Sequence, residues 1–321
     1  MVKQMCTSAL LLLGEVQKPK PNWLLNILVI VLALALIAVI FLLVSNRLAK
    51  QKRVKLGPRD MGDDVPTRPS VAPSGYTPAV HSGIRIGNDQ DPGARRDQQD
   101  AFGIKETQYG LLAVLADGMG GLSNGAAYSN LAKDTALKSF LEEGLEKTDE
   151  ATLLRILRRS RDAITTAGLQ DGGTTFIAAL IRSQQLHFIS VGDSRISLMR
   201  NGGLIQLNRE HVYGRELDDL AANGFLSREE AEGDRQRAAI TSYIGKKDEL
   251  LIDRNIAGIP LFSGDKVVLM SDGVYGYLPE EELTQCLRKE PRQAAAAVKQ
   301  AILNRANPRQ DNLTIIVLEI E

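Results

Sequence analysis

Three aspartates share one local setting. Each closes a run of apolar residues and precedes glycine or a small polar residue: Leu111-Leu112-Ala113-Val114-Leu115-Ala116-Asp117-Gly118, Phe188-Ile189-Ser190-Val191-Gly192-Asp193-Ser194 and Val267-Val268-Leu269-Met270-Ser271-Asp272-Gly273. A strand end projects its last side chain from a rigid platform, so aspartates placed this way can converge on one point. Asp-Gly is also an ordinary turn dipeptide, and taken singly each case reads first as a turn. Taken together, carboxylates gathered without cations would repel one another and shift their pKa values, a conflict that bound divalent ions resolve.

The ion would have to be held by oxygen. His81, His187 and His211 lie far apart in the sequence, and Cys6 and Cys286 form no CxxC or Cys/His cluster, so neither zinc nor a disulfide framework is indicated and a reducing compartment is the simpler reading. Hard cations such as Mg²⁺ or Mn²⁺ suit carboxylate, carbonyl and water ligands. Two of them about 3.5–4 Å apart can activate a water and hold a phosphate for in-line attack. Arg95, just ahead of Asp100 in Arg95-Arg96-Asp97-Gln98-Gln99-Asp100, offers phosphate a bidentate fork. The residue chemistry alone points to a two-metal phosphoryl hydrolase.

Such a site needs a rigid frame. Candidate strands, rich in β-branched residues, are Leu111–Leu115, Thr174–Ile181, Leu186–Val191, Arg195–Met199, Lys266–Met270 and Leu313–Ile320. Candidate helices are Ala126–Glu143, Ala151–Ala167, Glu280–Arg288 and Arg292–Asn304. Strands and helices come in runs and do not alternate one by one, which predicts an α+β fold of antiparallel sheets with helices outside. This domain is expected over residues 82–321.

The N-terminal part reads differently. Leu24 to Val44 carries no charge, and as a helix would span about 31 Å at 1.5 Å per residue, which predicts a single transmembrane helix after a short segment of residues 1–23. Arg47, Lys50, Lys52, Arg53, Lys55 and Arg59 follow it, against Lys3, Lys18 and Lys20 before it, so the C-terminal bulk is expected in the cytoplasm, at the inner membrane. Residues 45–81 are basic and then proline-rich, with too few large apolar groups for a core, and read as a linker. Lysine plus arginine equal aspartate plus glutamate at 39 each, which gives no general attraction to nucleic acid.

The segments, in this order, resemble the metal-dependent serine/threonine protein phosphatases of type 2C, and their bacterial branch in particular. Arg95 to Asp100 is similar to the family's opening segment, and Ala116-Asp117-Gly118-Met119-Gly120-Gly121 to its most specific signature. Gly173-Thr174-Thr175, Gly192-Asp193-Ser194-Arg195, Ser271-Asp272-Gly273 and Asp311-Asn312-Leu313-Thr314 resemble its later motifs. The resemblance implies an α-β-β-α sandwich of two antiparallel sheets with a metal cleft at one edge. It implies that Asp117 bridges two Mn²⁺ or Mg²⁺ ions, with the Gly118 carbonyl at one and Asp272 and Asp311 at the other. Asp100 would bind water in the ions' coordination shell or a metal directly, Asp193 with Asp272 would form a weaker third site, and Arg95 would touch only the phosphate of a phosphoserine or phosphothreonine protein. Water activated by the ions would attack phosphorus directly.

Gln98 and Gln99 depart from the asparagine and glutamate common at those places, Met119 is a mark of the bacterial branch, and Leu122 replaces a frequent histidine. Residues 209–245, including Glu210-His211, resemble the family's variable flap, and His211 is expected to pack or cap rather than act as general acid. The rival readings are an inactive phosphoprotein-binding module of the same fold and a membrane scaffold. Presence of Asp100, Asp117, Asp193, Asp272 and Asp311 weighs against both. A membrane-bound serine/threonine kinase is the natural opponent of such an enzyme.

Overall fold

The computed structural model describes residues 83–120, 124–169, 172–247 and 249–321. The apolar stretch Leu24–Val44, the linker and Leu122 lie outside the described residues. Among the described residues no helix is long and apolar enough to cross a membrane.

The elements run β1 (Ile84–Asp91), β2 (Asp100–Thr107), β3 (Gly110–Gly120), α1 (Asn124–Glu143), α2 (Asp149–Ala167), β4 (Gly172–Thr174), β5 (Phe176–Arg182) and β6 (Gln185–Val191). There follow β7 (Arg195–Arg200), β8 (Gly203–Gln206), α3 (Tyr213–Ala222), α4 (Arg228–Gly233), β9 (Asp253–Arg254), β10 (Ile259–Pro260), β11 (Lys266–Met270), α5 (Asp272–Tyr275), α6 (Glu280–Leu287), α7 (Pro291–Leu303) and β12 (Leu313–Ile320). One sheet has the order β1-β12-β11-β7-β8; the other has β10-β6-β5-β3-β2, with β4 added to β3 and β9 to β6. Every pairing is antiparallel, as the sequence predicts.

The layering follows from residue alternation. Leu111, Ala113 and Leu115 of β3 meet Ile177, Phe188, Ile196, Val267, Leu269 and Ile316 between the sheets. Their neighbours Leu112, Val114 and Ala116 face α1 and α2, where Tyr128, Ala132, Ala136 and Phe140 recur every fourth residue along one helix stripe. On the other side Val268, Met270, Ile315 and Val317 pack under Leu283, Leu287, Val298 and Ile302 of α6 and α7. Central strands buried on both faces have no solvent side, which is why they read as continuous apolar runs. Helix ends are set locally: Thr148 accepts a hydrogen bond from the Ala151 N–H at the start of α2, and Gly168, at φ 65°, ends it in the left-handed region.

The sequence reading missed β1 and β2, whose polar and small residues (Gly87, Asn88, Gly103, Lys105) dilute the strand signal. It also ended β3 too early. Asp117 lies within that strand, whose last residues Gly118–Gly120 leave β5 for β4, so Asp117-Gly118 is not a turn.

Lys266 is buried within β11 on the helix side. Its Nζ donates to the carbonyls of Leu287 at 2.7 Å and Lys289 at 2.5 Å, satisfying groups that the end of α6 leaves without partners. Lys266→Met keeps the stem but removes both donors. Urea unfolding should show a loss of about 1–3 kcal/mol, and an unchanged midpoint would mean those carbonyls are satisfied otherwise.

Candidate active site

Strand register decides which residues meet. Asp100 pairs directly with Asp117 across β2 and β3. Leu115 pairs with Ile177, and the adjacent Phe176 with Val191, so the turn carrying Asp193 lies at the same end of that sheet. In the other sheet Met270 pairs with both Arg195 and Ile315, which places Asp272 and the start of β12, two residues after Asp311, at that end too. The predicted aspartates therefore gather at one end of the sandwich.

Asp117 is fixed through its backbone. Its N–H donates to Thr175 Oγ1 at 2.9 Å, and its carbonyl accepts from Thr175 N at 2.8 Å and from Thr174 Oγ1 at 2.9 Å. The Thr-Thr pair thus holds the strand without engaging the carboxyl group, which faces Asp100. Gly118 is required by space: a Cβ there would lie 2.1 Å from the Gly125 carbonyl oxygen at the start of α1. The Gly118 N–H donates to Gln99 O at 3.1 Å, tying β3 to the segment before Asp100.

Asp100 joins the two sheets. Its Oδ2 accepts from Ser271 Oγ at 2.9 Å and from Thr314 Oγ1 at 2.7 Å, both in the opposite sheet's edge of the cleft. Oδ1 is buried and has no hydrogen-bond partner. Asp193 Oδ1 is in the same condition. Asp272 opens the short helix α5, and the following Gly273 would, with a Cβ, come within 1.8 Å of the Asn312 carbonyl oxygen, so only glycine lets this turn lie against β12. Asn312 in turn stitches down the loop that carries Arg95: its Nδ2 donates to the carbonyls of Pro92 and Asp97, and its Oδ1 accepts from Gln99 N.

Electrostatics register the crowding. Burial, followed by the charges of Asp100, Asp272, Asp193 and Asp311, holds the Asp117 carboxyl well above its usual range, although its side chain keeps some opening to the cleft. Burial raises Asp272 to about 7, with Asp193, Asp311 and Asp100 adding to it. Burial likewise pushes Asp100 and Asp193 up to about 6, against the hydrogen bonds from Thr314 and Ser271 in the case of Asp100. No three His, Cys, Asp or Glu side chains among the described residues close into a ready-made metal cage. The carboxylates act on one another across a cleft. An all-oxygen donor set, mutual repulsion and two buried acceptor atoms without donors fit a hard divalent cation.

Arg95 departs from expectation. Its Nη2 donates to Asp311 Oδ2 at 2.7 Å, so it does touch a predicted metal ligand rather than only a substrate phosphate. The pair is open to solvent, which leaves the guanidinium at the cleft edge. His211 behaves as expected: Nδ1 accepts from the Gly192 N–H at 3.0 Å, and burial lowers its affinity for a second proton.

Comparison with known proteins adds the decisive observation. A family model described as Protein phosphatase 2C matches residues 94–313, more than half of the chain. The chain belongs to the protein phosphatase 2C family. It is accordingly a metal-dependent protein serine/threonine phosphatase. It is 27% identical to the serine/threonine phosphatase stp of Listeria monocytogenes over 70% of this chain and 91% of that protein. Its fold is similar to the serine/threonine phosphatase PstP/Ppp of Mycobacterium tuberculosis, with a TM-score of 0.61 at 26% identity over 74% of this chain and 99% of that one. A catalytic domain of PstP solved in complex with two manganese ions is similar at a TM-score of 0.59 and 27% identity, over 74% and 97% of the two chains.

Thr174, Thr175, Ser271, Asn312 and Thr314 lie inside the motifs with no role that the motifs alone assign. In the phosphatase they position the aspartates. The signal was available, since hydroxyl and amide side chains beside predicted strand-end aspartates are the natural donors to backbone and carboxylate.

Neutralising the most crowded carboxylate tests the electrostatic account. Raised carboxyls bind more protons folded than unfolded between about 4 and 7, so the metal-free phosphatase should gain stability as pH falls through that window. Asp117→Asn should raise the unfolding temperature of metal-free protein at pH 7.5, flatten this pH dependence and abolish stabilisation by manganese, all read by thermal denaturation. A lower unfolding temperature with manganese stabilisation intact would remove Asp117 from the repelling cluster.

Proposed function

We propose that this phosphatase is tethered to the cytoplasmic face of the inner membrane by Leu24–Val44 and hydrolyses phosphoserine and phosphothreonine on cytoplasmic or membrane-associated proteins. The observation that carries the catalytic part is the convergence of Asp100, Asp117, Asp193, Asp272 and Asp311 at one sandwich end. In this reading Asp117, the Gly118 carbonyl, Asp272 and Asp311 would hold two Mn²⁺ or Mg²⁺ ions, with Asp117 shared between them, and Asp193 with Asp272 would hold a weaker third. When bound, such ions lower the pKa of water and offset the negative charge of the phosphate.

The chain's own residues supply orientation and charge. Asp100, held by Ser271 and Thr314, presents an unpartnered oxygen to the cleft's polar shell. Arg95 is placed to receive phosphate oxygens in a fork once it leaves Asp311. Among the described residues no cysteine or histidine nucleophile stands by: Cys286 packs against the helix-side core and His211 spends Nδ1 on Gly192, which supports direct attack by water. The retained aspartates favour this reading over an inactive binding module. A tether rests on the uncharged run Leu24–Val44 and its basic C-terminal flank, and a membrane serine/threonine kinase is the partner that such placement suggests.

Two experiments test it. Purified chain with manganese should hydrolyse an aryl phosphate and a phosphothreonine peptide. Arg95→Ala should lower kcat/KM on the order of 10–10³-fold through loss of one charged donor, while Arg96→Ala is nearly silent. Because Arg95 also neutralises Asp311, its removal should tighten manganese binding, by at most about 5-fold for an exposed pair. Equal, small effects of the two substitutions would sink the phosphate assignment. For topology, a reporter fused after Glu321 should be active only as a cytoplasmic fusion; activity of a periplasmic reporter would overturn the orientation.

A further inference from the structure

Glu210 is a carboxylate nearly excluded from water, at 7% exposure, and it belongs to none of the roles above. Its Oε1 accepts from Arg195 Nε at 2.5 Å and its Oε2 from Arg215 Nη2 at 3.1 Å. The Arg195 guanidinium lies 3.6 Å from the centroid of the Tyr275 ring. Tyr275 Oη donates to the Asp193 carbonyl at 3.0 Å. The adjacent His211 supplies a second grip, because its Nδ1 accepts from Gly192 N–H and its own backbone N–H donates to Gly192 O at 2.9 Å. Residues on both sides of the Asp193 peptide are therefore held by contacts that start from one dipeptide.

The turn needs such support. Gly192 sits at φ +102°, and a Cβ there would meet Thr175 Cγ2 at 2.7 Å, so the chain is forced through a conformation with few intrinsic preferences of its own. Asp193 Oδ1 is buried with no hydrogen-bond partner, an arrangement that costs free energy unless a ligand satisfies it. A buried glutamate between two arginines is itself a poor source of stability compared with apolar packing. Its placement makes sense if what it secures is geometry.

We propose that Glu210 and His211 are positioning residues that fix Asp193 as a carboxylate ligand for a divalent cation, Glu210 acting through Arg195 and Tyr275 and His211 through Gly192. The proposal rests on the assignment of Asp193 to the weaker third metal site. It also joins the flap to that site, since Arg215 belongs to α3 and shares Glu210 with Arg195.

Calorimetric titration of the full chain with MnCl₂ separates these claims. Asp193→Asn should abolish the weakest binding phase and leave the tighter ones. Glu210→Gln, Tyr275→Phe and His211→Ala should each weaken that same phase by about 10-fold or more, the usual cost of losing a partner that orients a metal ligand. His211→Asn should restore it, because Asn Oδ1 can take the Gly192 N–H. Tyr275→Phe removes one oxygen only and keeps the test alive if Glu210→Gln does not fold. Silence of Tyr275→Phe and His211→Ala beside a clear Asp193→Asn effect overturns the positioning roles and leaves the assignment of Asp193 standing. A silent Asp193→Asn overturns both. Parallel loss of all phases in the variants, with a collapse of the unfolding temperature, makes Glu210 a residue of the fold and rejects the proposal.

Discussion

Like charge held in place against its own repulsion is the constraint on which this molecule turns. Asp100 and Asp117 face each other across β2 and β3, and Asp193, Asp272 and Asp311 add to the field around Asp117. Left on flexible loops, such groups would move apart or take up protons. Here they cannot move far, because Asp100 and Asp117 lie in strands and Asp193, Asp272 and Asp311 each stand two residues from one, in two sheets whose common core of Leu111, Leu115, Ile177, Val267, Leu269 and Ile316 is closed to water. Apolar burial at about 25 cal/mol per Å² supplies the stabilisation that the polar end draws upon.

The means of fixing is consistent across the site. Backbone and uncharged side chains hold the aspartates, so that few cations compete for their oxygens. Thr174 and Thr175 grip the Asp117 peptide, Ser271 and Thr314 take one oxygen of Asp100, and Asn312 binds the loop before it. Glycines bring backbones closer than any side chain would allow, at Gly118 against Gly125 and at Gly273 against Asn312. These contacts set where negative charge sits while leaving its magnitude intact, which is what a site for hard cations requires. Asp311 is the exception, paired with the guanidinium of Arg95.

How much of this could be read from the chain follows from what each residue must do. β3, β5, β6, β11 and β12 were visible because both faces are buried, which forces continuous apolar runs. β2 was not, since Gly103 is small to admit Leu137 of α1 and Lys105 and Glu106 face outward, so no run forms. Missing β2 hid the fact that Asp100 opens a strand opposite Asp117. The aspartates themselves were legible as a set, whereas their pairing depends on register, which the sequence of one strand does not contain. Glu210 and its arginines were illegible for a different reason: Arg195, Glu210, Arg215 and Tyr275 are brought together only by the packing of flap, β7 and α5, and charged residues in a sequence read by default as solvated.

Arg95 and Glu210 show how the same chemical pairing can serve opposite ends. The Arg95–Asp311 pair is open to solvent, and exposed ion pairs are worth about 0.2–1 kcal/mol, small enough for a divalent cation and a phosphate dianion to take the partners apart. Glu210 is enclosed, shared between two arginines and backed by an aromatic ring, so separating it would strand a charge in a low dielectric, a cost of several kcal/mol. On the roles proposed above, an arginine that exchanges Asp311 for phosphate has to be held weakly, and a carboxylate that keeps a turn in place has to be held strongly. Solvent access, more than distance, sets which is which, for the Arg95–Asp311 contact at 2.7 Å lies between the two that Glu210 makes, 2.5 Å to Arg195 and 3.1 Å to Arg215. The open contact is the one that can break.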